Sequence, residues 1–189
     1  ENRGFGAGHN VAIQQSESDY HLVLNPDAEL AEDALRVGLS RLHEDPGIVL
    51  LSPRARGEDG TQEFLCKRYP SFLVLLLRSY APSFMRRLFR RRLDLYEMRD
   101  LCSGSREADI LLASGCFMLA RTAALQAVGG FSDRYFLYFE DFDLSIRLGN
   151  STGQEKKTLT GGNPSCRANG YTTNKCFCDT CDNAEATPC

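Results

Sequence analysis

The stretch from Ser114 to Leu148, SGCFMLARTAALQAVGGFSDRYFLYFEDFDLSIRL, most constrains this chain. It passes from an apolar run through a short helix pattern and two glycines into the aromatic run Phe131 to Phe139. It then places Glu140, Asp141 and Asp143 at the start of a second helix pattern. Acids directly after a hydrophobic segment are costly to bury unless they face a cleft, a cation or a helix N-terminus. A first helical turn that uses Asp and Glu to complement its dipole satisfies the same pattern without any chemistry. Asp143 and Arg147 stand at i,i+4 spacing and are expected to pair on the helix surface.

The 189 residues suit one domain, and 42% hydrophobic with 25% charged residues is ordinary for a globular protein. A net charge of -3 gives no global attraction to nucleic acid or to an anionic membrane. The longest purely apolar run, Phe72 to Leu77, is far shorter than the roughly 20 residues of a membrane-spanning helix. Cysteines divide the chain. Cys66, Cys102 and Cys116 are dispersed, as buried thiols of a cytoplasmic protein would be, whereas Cys166, Cys176, Cys178, Cys181 and Cys189 crowd the end. From Gly149 onward large apolar residues are scarce, so residues 149–189 are expected to be an irregular Cys-rich tail, disordered or unrelated to a domain over residues 1–148. Four of its thiols could bind zinc, although their spacing matches no specific zinc pattern, or the tail could form disulfides, for which five cysteines is an odd number.

In chain order, ENRGFGAGHN reads as a glycine-rich loop opening a helix through Ala12 to Gln15. Its glycines would let backbone amides approach a phosphate or ribose, or would simply make a turn. Tyr20 to Leu24 is a strand pattern followed by Asn25-Pro26-Asp27, which puts Asp27 at a strand's carboxyl end or, equally, at a helix cap. Leu30 to Leu42 has helical spacing and Gly47 to Leu51 reads as a second buried strand, so a βαβ unit and a parallel sheet are expected. Gln62 to Cys66 is a strand leaving a turn, and Tyr69 to Asp100 is mostly helical. Arg86 to Asp100 carries six arginines against three acids, interleaved with leucines and Phe89. That amphipathic basic segment is either a solvated face or, through Arg86–Arg92, a contact for anionic lipid headgroups or a lipid diphosphate. Ile110 to Leu119 is a buried strand, and Arg121 to Val128 a short helix ended by Gly129 and Gly130.

NRGFGAGHN, LVLNPD, ASGCFMLARTAAL, VGGF and YFLYFEDFDLSIRL, in this order, resemble family 2 glycosyltransferases of the GT-A fold. The resemblance covers residues 2–148 and points to the bacterial rhamnosyltransferase-like enzymes of O-antigen and other surface-polysaccharide assembly. It implies an α/β domain, a partial GT-A fold with a mostly parallel sheet flanked by helices. It also implies inverting transfer of a sugar from a dTDP- or UDP-sugar donor to a glycan or lipid-linked acceptor. The expected place is the cytoplasm, peripheral to the inner face of the plasma membrane.

Carried over position by position, Asp27 would help hold Mg²⁺ or Mn²⁺ on the donor diphosphate, with Asn25 where the family's motif has its first acid. Asn2, Gly4, Phe5, Gly8 and Asn10 match the segment near the nucleotide. Ser114, Gly115 and Cys116 match the strand end lining the sugar and acceptor cleft. Glu140 and Asp141 match the acidic pair whose second member is the catalytic base. The family's opening strand, its nucleotide-binding loop and its segments after EDFDL have no counterpart here, so the sequence reads as the middle of such an enzyme and turnover by this chain is not expected. Two other classes fit the residues: a non-catalytic glycan-binding module, and a zinc-dependent interaction module in the tail.

Overall fold

Residues Phe117–Arg121 hold the architecture together, because they form an interior strand of the larger sheet and carry side chains into cores on both of its faces. The computed structural model describes residues 4–57, 59–102, 107–136, 138–151, 174–177 and 186–187. Its elements in order are α1 (Phe5–Gln15), β1 (Tyr20–Leu24), β2 (Glu29–Leu30), α2 (Ala34–Glu44), β3 (Leu50–Pro53), β4 (Ala55–Arg56) and β5 (Gln62–Glu63). Four short helices follow, α3 (Phe72–Ser79), α4 (Ser83–Leu88), α5 (Arg90–Tyr96) and α6 (Arg99–Cys102). Then come β6 (Ala108–Ile110), β7 (Phe117–Arg121), α7 (Thr122–Ala127), α8 (Glu140–Ser151), β8 (Asn174–Phe177) and β9 (Ala186–Thr187).

The larger sheet has the order β1-β7-β3-β8-β6, and a smaller one runs β2-β9-β4-β5. β7 is antiparallel to β1, with Tyr20 opposite Arg121 and Leu24 opposite Phe117, and antiparallel to β3, with Leu51 opposite Leu119. Only β3–β8 in the larger sheet and β4–β9 in the smaller are parallel pairs among the described residues. The expected mostly parallel sheet is therefore corrected to a small, mainly antiparallel one. The crossover through α2 does leave β1 and β3 pointing the same way, since both oppose β7. The strand inserted between them changes the pairing. A run buried on both faces, as Phe117–Ala120 is, marks a central strand but carries no sign of its direction.

Alternation along the central strands separates the two cores. Met118 and Ala120 of β7 with Leu50 of β3 face Ile13 of α1, Leu125 of α7, and Leu144 and Leu148 of α8. Phe117, Leu119 and Leu51 face the other way, onto Leu42 of α2 and Ile48. Period-two side-chain placement requires this division. Arg121 closes the edge: it donates to the carbonyls of Ile48 (2.8 Å), Leu42 and Asp45 (3.2 Å), neutralising the C-terminal end of α2.

Two local expectations change. The glycine-rich segment is itself helix, with α1 starting at Phe5 rather than opening at Ala12. Gly6 is accepted there because a Cβ would lie 2.7 Å from Cβ of Phe131, so close helix packing outweighs the cost of a helical glycine. The strand expected over Ile110 to Leu119 is broken into β6 and β7. Between them Ser114 Oγ accepts the Cys116 N–H at 3.3 Å, a side-chain-to-backbone bond that competes with the ladder. The helix ending at Gly129 and Gly130 is as expected, with φ of 77° and 69° and the Gly130 N–H reaching Leu125 O at 2.8 Å. β8 lies in the larger sheet between β3 and β6; the rest of the expected Cys-rich tail, 152–173, 178–185 and 188–189, is outside the described residues.

Candidate active site

The break between β6 and β7 is where the candidate residues gather. Where β1 ends, the Asn25 N–H donates to Cys116 O at 3.1 Å, extending the ladder by one bond. The Ala28 N–H then donates to Asn25 O at 3.2 Å, closing a turn whose second residue is Pro26, the position its fixed φ favours. Asn25 is half-buried and Asp27 is exposed at the tip.

Across the ladder, the Ser114 N–H is held by Leu65 O at 3.1 Å, and the Gly115 N–H donates to Asp141 Oδ2 at 2.9 Å. A Cβ on Gly115 would lie 3.6 Å from both Asp141 Cβ and Phe5 Cε1. So the first residue of α1, the turn before β7 and the second residue of α8 meet at one point. Cys116 and Cys66 are buried, in line with their reading as small hydrophobes.

Asp141 is held by several bonds. Its Oδ1 accepts the Phe142 N–H at 2.8 Å, satisfying an orphan donor of the helix start. One turn on, Ser145 Oγ donates to Asp141 O at 2.8 Å and accepts the Ala113 N–H at 3.1 Å, a fully buried latch between α8 and the strand break. Burial pushes the Asp141 carboxyl above the usual aspartate range; the N–H bonds from Gly115 and Phe142 pull it back, and the charge of Glu140 adds to the rise. Glu140 is buried beside it, with Oε2 lacking a hydrogen-bond partner among the described residues. Asp143 makes the expected i,i+4 pair with Arg147 at 2.7 Å, and Arg147 also donates to Val128 O at 2.8 Å. Before this helix Tyr138 and Phe139 both have positive φ, 67° and 64°, and Phe139 O accepts the Asp143 N–H at 2.9 Å. Left-handed backbone at a non-glycine residue costs about 1–2 kcal/mol each, a cost met next to the acid pair.

The nucleotide-side candidates divide. Phe5 reaches Gly115 as above. Gly4 has φ 90° and a Cβ on it would lie 2.7 Å from Phe136 O, so it permits a close backbone approach. Gly8 has open space beyond its Cα. Asn10 uses its side-chain amide on the backbone of Phe131, donating to its carbonyl (2.8 Å) and accepting its N–H (2.7 Å). Asn2 lies outside the described residues, as do Cys166, Cys178, Cys181 and Cys189 and with them the zinc expectation. Among the described residues no group of three or more His, Cys, Asp or Glu converges as a metal site.

Three features were not read from the sequence. Ser145, four residues after Asp141, could have been suspected from that spacing. The left-handed pair Tyr138–Phe139 leaves no signal, since neither residue favours that conformation. His9 packs against Phe5 and Phe131 at ring distances of 4.6 and 5.8 Å and stands 6.1 Å from His21. Burial lowers the pKa of both imidazoles, and His21 lowers that of His9 further.

With this geometry in hand, comparison with known proteins is direct. Residues 1–127 match the model of the family described as Glycosyl transferase family 2. The chain belongs to that family. It is rhamnosyltransferase-like within it: it is 29% identical over 161 residues to the N-acetylglucosaminyl-diphospho-decaprenol L-rhamnosyltransferase of Mycobacterium tuberculosis, covering 79% of this chain and 51% of that one. It is 27% identical over 161 residues to Rhamnosyltransferase WbbL of Escherichia coli K12, covering 77% and 54%. The chain thus spans about half the length of the curated relatives it matches. The crystal structure of residues 1–349 of S. aureus TarS aligns with a TM-score of 0.44 at 15% identity, over 77% of this chain and 34% of that one. The family match ends before α8, so Glu140 and Asp141 lie beyond it.

Proposed function

We propose that this chain provides the catalytic face of an inverting sugar transfer, in which Asp141 is the base. The observation that carries this is a desolvated carboxylate, fixed on the Gly115 N–H at 2.9 Å, beside the strand end that bears Asn25 and Asp27. Asp141 takes the proton of the acceptor hydroxyl while that oxygen bonds to the anomeric carbon, from the face opposite the nucleoside diphosphate. The bond from that carbon to the diphosphate oxygen breaks, and the nucleoside diphosphate leaves with the electron pair. A raised pKa makes Asp141 a stronger base than an ordinary aspartate, which suits it to the transfer. Glu140 orients Asp141 or contacts the acceptor. Ser114, Gly115 and Cys116 line the sugar and acceptor side.

The donor side is read from Asn25, Asp27 and the start of α1. One carboxylate and one amide oxygen at the same turn are hard donors, and a divalent cation can share such a set with phosphate oxygens. Asp27, with Asn25 beside it, would hold Mg²⁺ or Mn²⁺, which supplies positive charge for the departing diphosphate. Phe5, Gly4 and Gly8 are assigned to the nucleotide side in this reading, while Asn10 acts by holding Phe131. The relatives' names support rhamnose as the sugar, and the mycobacterial name supports an acceptor linked through diphosphate to a polyprenol; the donor in this reading is a dTDP- or UDP-sugar. The product belongs to cell-surface glycan such as O-antigen, made at the inner face of a bacterial membrane.

The test is a transfer assay beside a binding assay. Asp141→Asn is expected to lower kcat about 10²–10⁴-fold while nucleotide binding persists. Equal turnover by Asp141→Asn would remove the base assignment. Acceptor binding insensitive to cation and nucleotide, without turnover by the parent chain, would make it a glycan-binding module instead.

A further inference from the structure

The helical segment between β5 and β6 carries a face that the described fold leaves uncovered. Its inner side is anchored: Val74, Leu77, Tyr96 and Met98 are buried, and Arg68 clamps Asp100 with two bonds of 2.8 Å while donating to Leu95 O at 2.6 Å. Its outer side is apolar where solvent would favour polar residues. Phe72, Leu76, Tyr80, Phe84 and Leu88 are 82%, 47%, 85%, 72% and 76% exposed. In α4, Phe84 and Leu88 stand at i,i+4 and share a face, while α3 is continuously apolar from Phe72 to Leu77, with Val74 and Leu77 buried and Phe72 and Leu76 exposed.

Beside this face lies a cleft of about 680 Å³ walled by Arg78, Arg86, Arg87, Arg90 and Arg99, with Asp94 and Glu97 among them. Between Arg78 and Arg99 there are seven arginines against those two acids, although the chain as a whole carries -3. Arg90 pairs with Asp94, Arg99 with Asp94 and Glu97, and Arg78 with Glu97. Arg87, Arg91 and Arg92 are exposed and make no ion pair among the described residues. Unneutralised arginines next to protruding aromatic and leucine side chains, on helices far too short to span a bilayer, are the composition of an interfacial surface.

We propose that α3, α4 and α5 dock this chain on an anionic lipid bilayer, with Phe84 and Leu88 entering the headgroup–acyl boundary and Arg87, Arg91 and Arg92 on the lipid phosphates. Charge complementarity selects this occupant over a neutral surface. The inference gives a surface to the membrane-peripheral transferase proposed above, but it is tested without donor, acceptor or turnover, so either can fail alone.

The full chain is mixed with phosphatidylcholine vesicles and with mixed phosphatidylglycerol–phosphatidylcholine vesicles, then sedimented. Pelleting is expected with the anionic vesicles and is expected to weaken as salt is raised. Arg87→Ala, Arg91→Ala and Arg92→Ala together should weaken it about a hundredfold, at roughly fivefold per arginine near an anionic surface. The chain contains no Trp, so Phe84→Trp is a single reporter whose emission should shift to the blue on the anionic vesicles. Val11→Trp, on an exposed position of α1, should not shift. No pelleting together with no shift at Phe84→Trp overturns the proposal, as does equal binding to phosphatidylcholine alone. Binding of inorganic pyrophosphate without vesicle binding would assign the cleft to a soluble anion. A dimer abolished by Phe84→Ser with Leu88→Ser, again without vesicle binding, would assign the face to a second copy.

Discussion

Asp141 is a carboxylate that the fold makes costly to ionise, and that cost is measurable apart from catalysis. Its native pKa is raised, so the native state binds its proton more tightly than the unfolded chain does. Its contribution to stability is therefore fully present at low pH and is lost as pH rises from the usual aspartate range through the raised native value. Asp141→Asn removes that titration. Measured by urea denaturation, the parent chain should lose stability relative to Asp141→Asn between acid and neutral pH, with no further change above. With Asp141 as the proposed base, the same shift predicts that kcat/KM falls on acidification at a pH above that of an ordinary aspartate. Ser145→Ala should cost about 1–3 kcal/mol of stability, because the buried Ala113 N–H loses its acceptor. It should also lower kcat with little change in nucleotide affinity if Asp141 is the base as proposed, since the lost bond to Asp141 O would misplace that carboxylate rather than the donor.

At the scale of elements, the junction of α1 with the loop after α7 depends on a single side-chain clamp. Asn10 holds both backbone polar groups of Phe131, and Gly130 makes room for it: a Cβ there would lie 2.2 Å from Asn10 Oδ1, at a φ of 69°. Gly130→Ala combines left-handed strain with that clash and should cost about 2–3 kcal/mol; Asn10→Ala strands buried groups and should cost about 1–3 kcal/mol. The double variant should lose less than the two losses added, because Asn10→Ala removes the atom that the methyl group added by Gly130→Ala would strike. A double-mutant cycle by thermal denaturation reads this directly, and strict additivity would show that the clamp and the glycine are independent. The same elements show what could be read in advance. Tyr20–Leu24, the helix ended by Gly129 and Gly130, and the i,i+4 pair of Asp143 with Arg147 depend on neighbours along the chain, so composition and spacing reveal them. The direction of β7, the packing that makes Gly6 helical and the meeting of Gly115 with Asp141 depend on residues 26 or more positions away. Local pattern carries no information about such contacts.

Over the whole molecule, the candidate site sits where the two cores share a wall. β7 gives Phe117 and Leu119 to one core and Met118 and Ala120 to the other, and the turn that precedes it supplies Gly115 and Cys116. Truncating Phe117 to Ala should therefore cost about 3–5 kcal/mol and weaken the site with the fold. Conversely, a ligand gripped at this junction should stabilise the entire domain rather than one loop. Nucleotide and cation at a hundred times their dissociation constant should add about 2.7 kcal/mol. For a chain of this size that is about 5–10 °C in Tm. Asp27 is exposed at the tip of its turn, so Asp27→Ala should move the unliganded Tm by little while abolishing the Mn²⁺-dependent part of the rise. Calorimetric scans with dTDP and UDP, each with and without Mn²⁺, separate the outcomes. A rise that needs Mn²⁺ and Asp27 ties donor binding to the Asn25–Asp27 turn. A rise indifferent to both moves the donor to α1. No rise with either nucleotide would mean that these residues do not hold a donor by themselves, and the base proposed at Asp141 would then need donor contacts supplied from outside these residues.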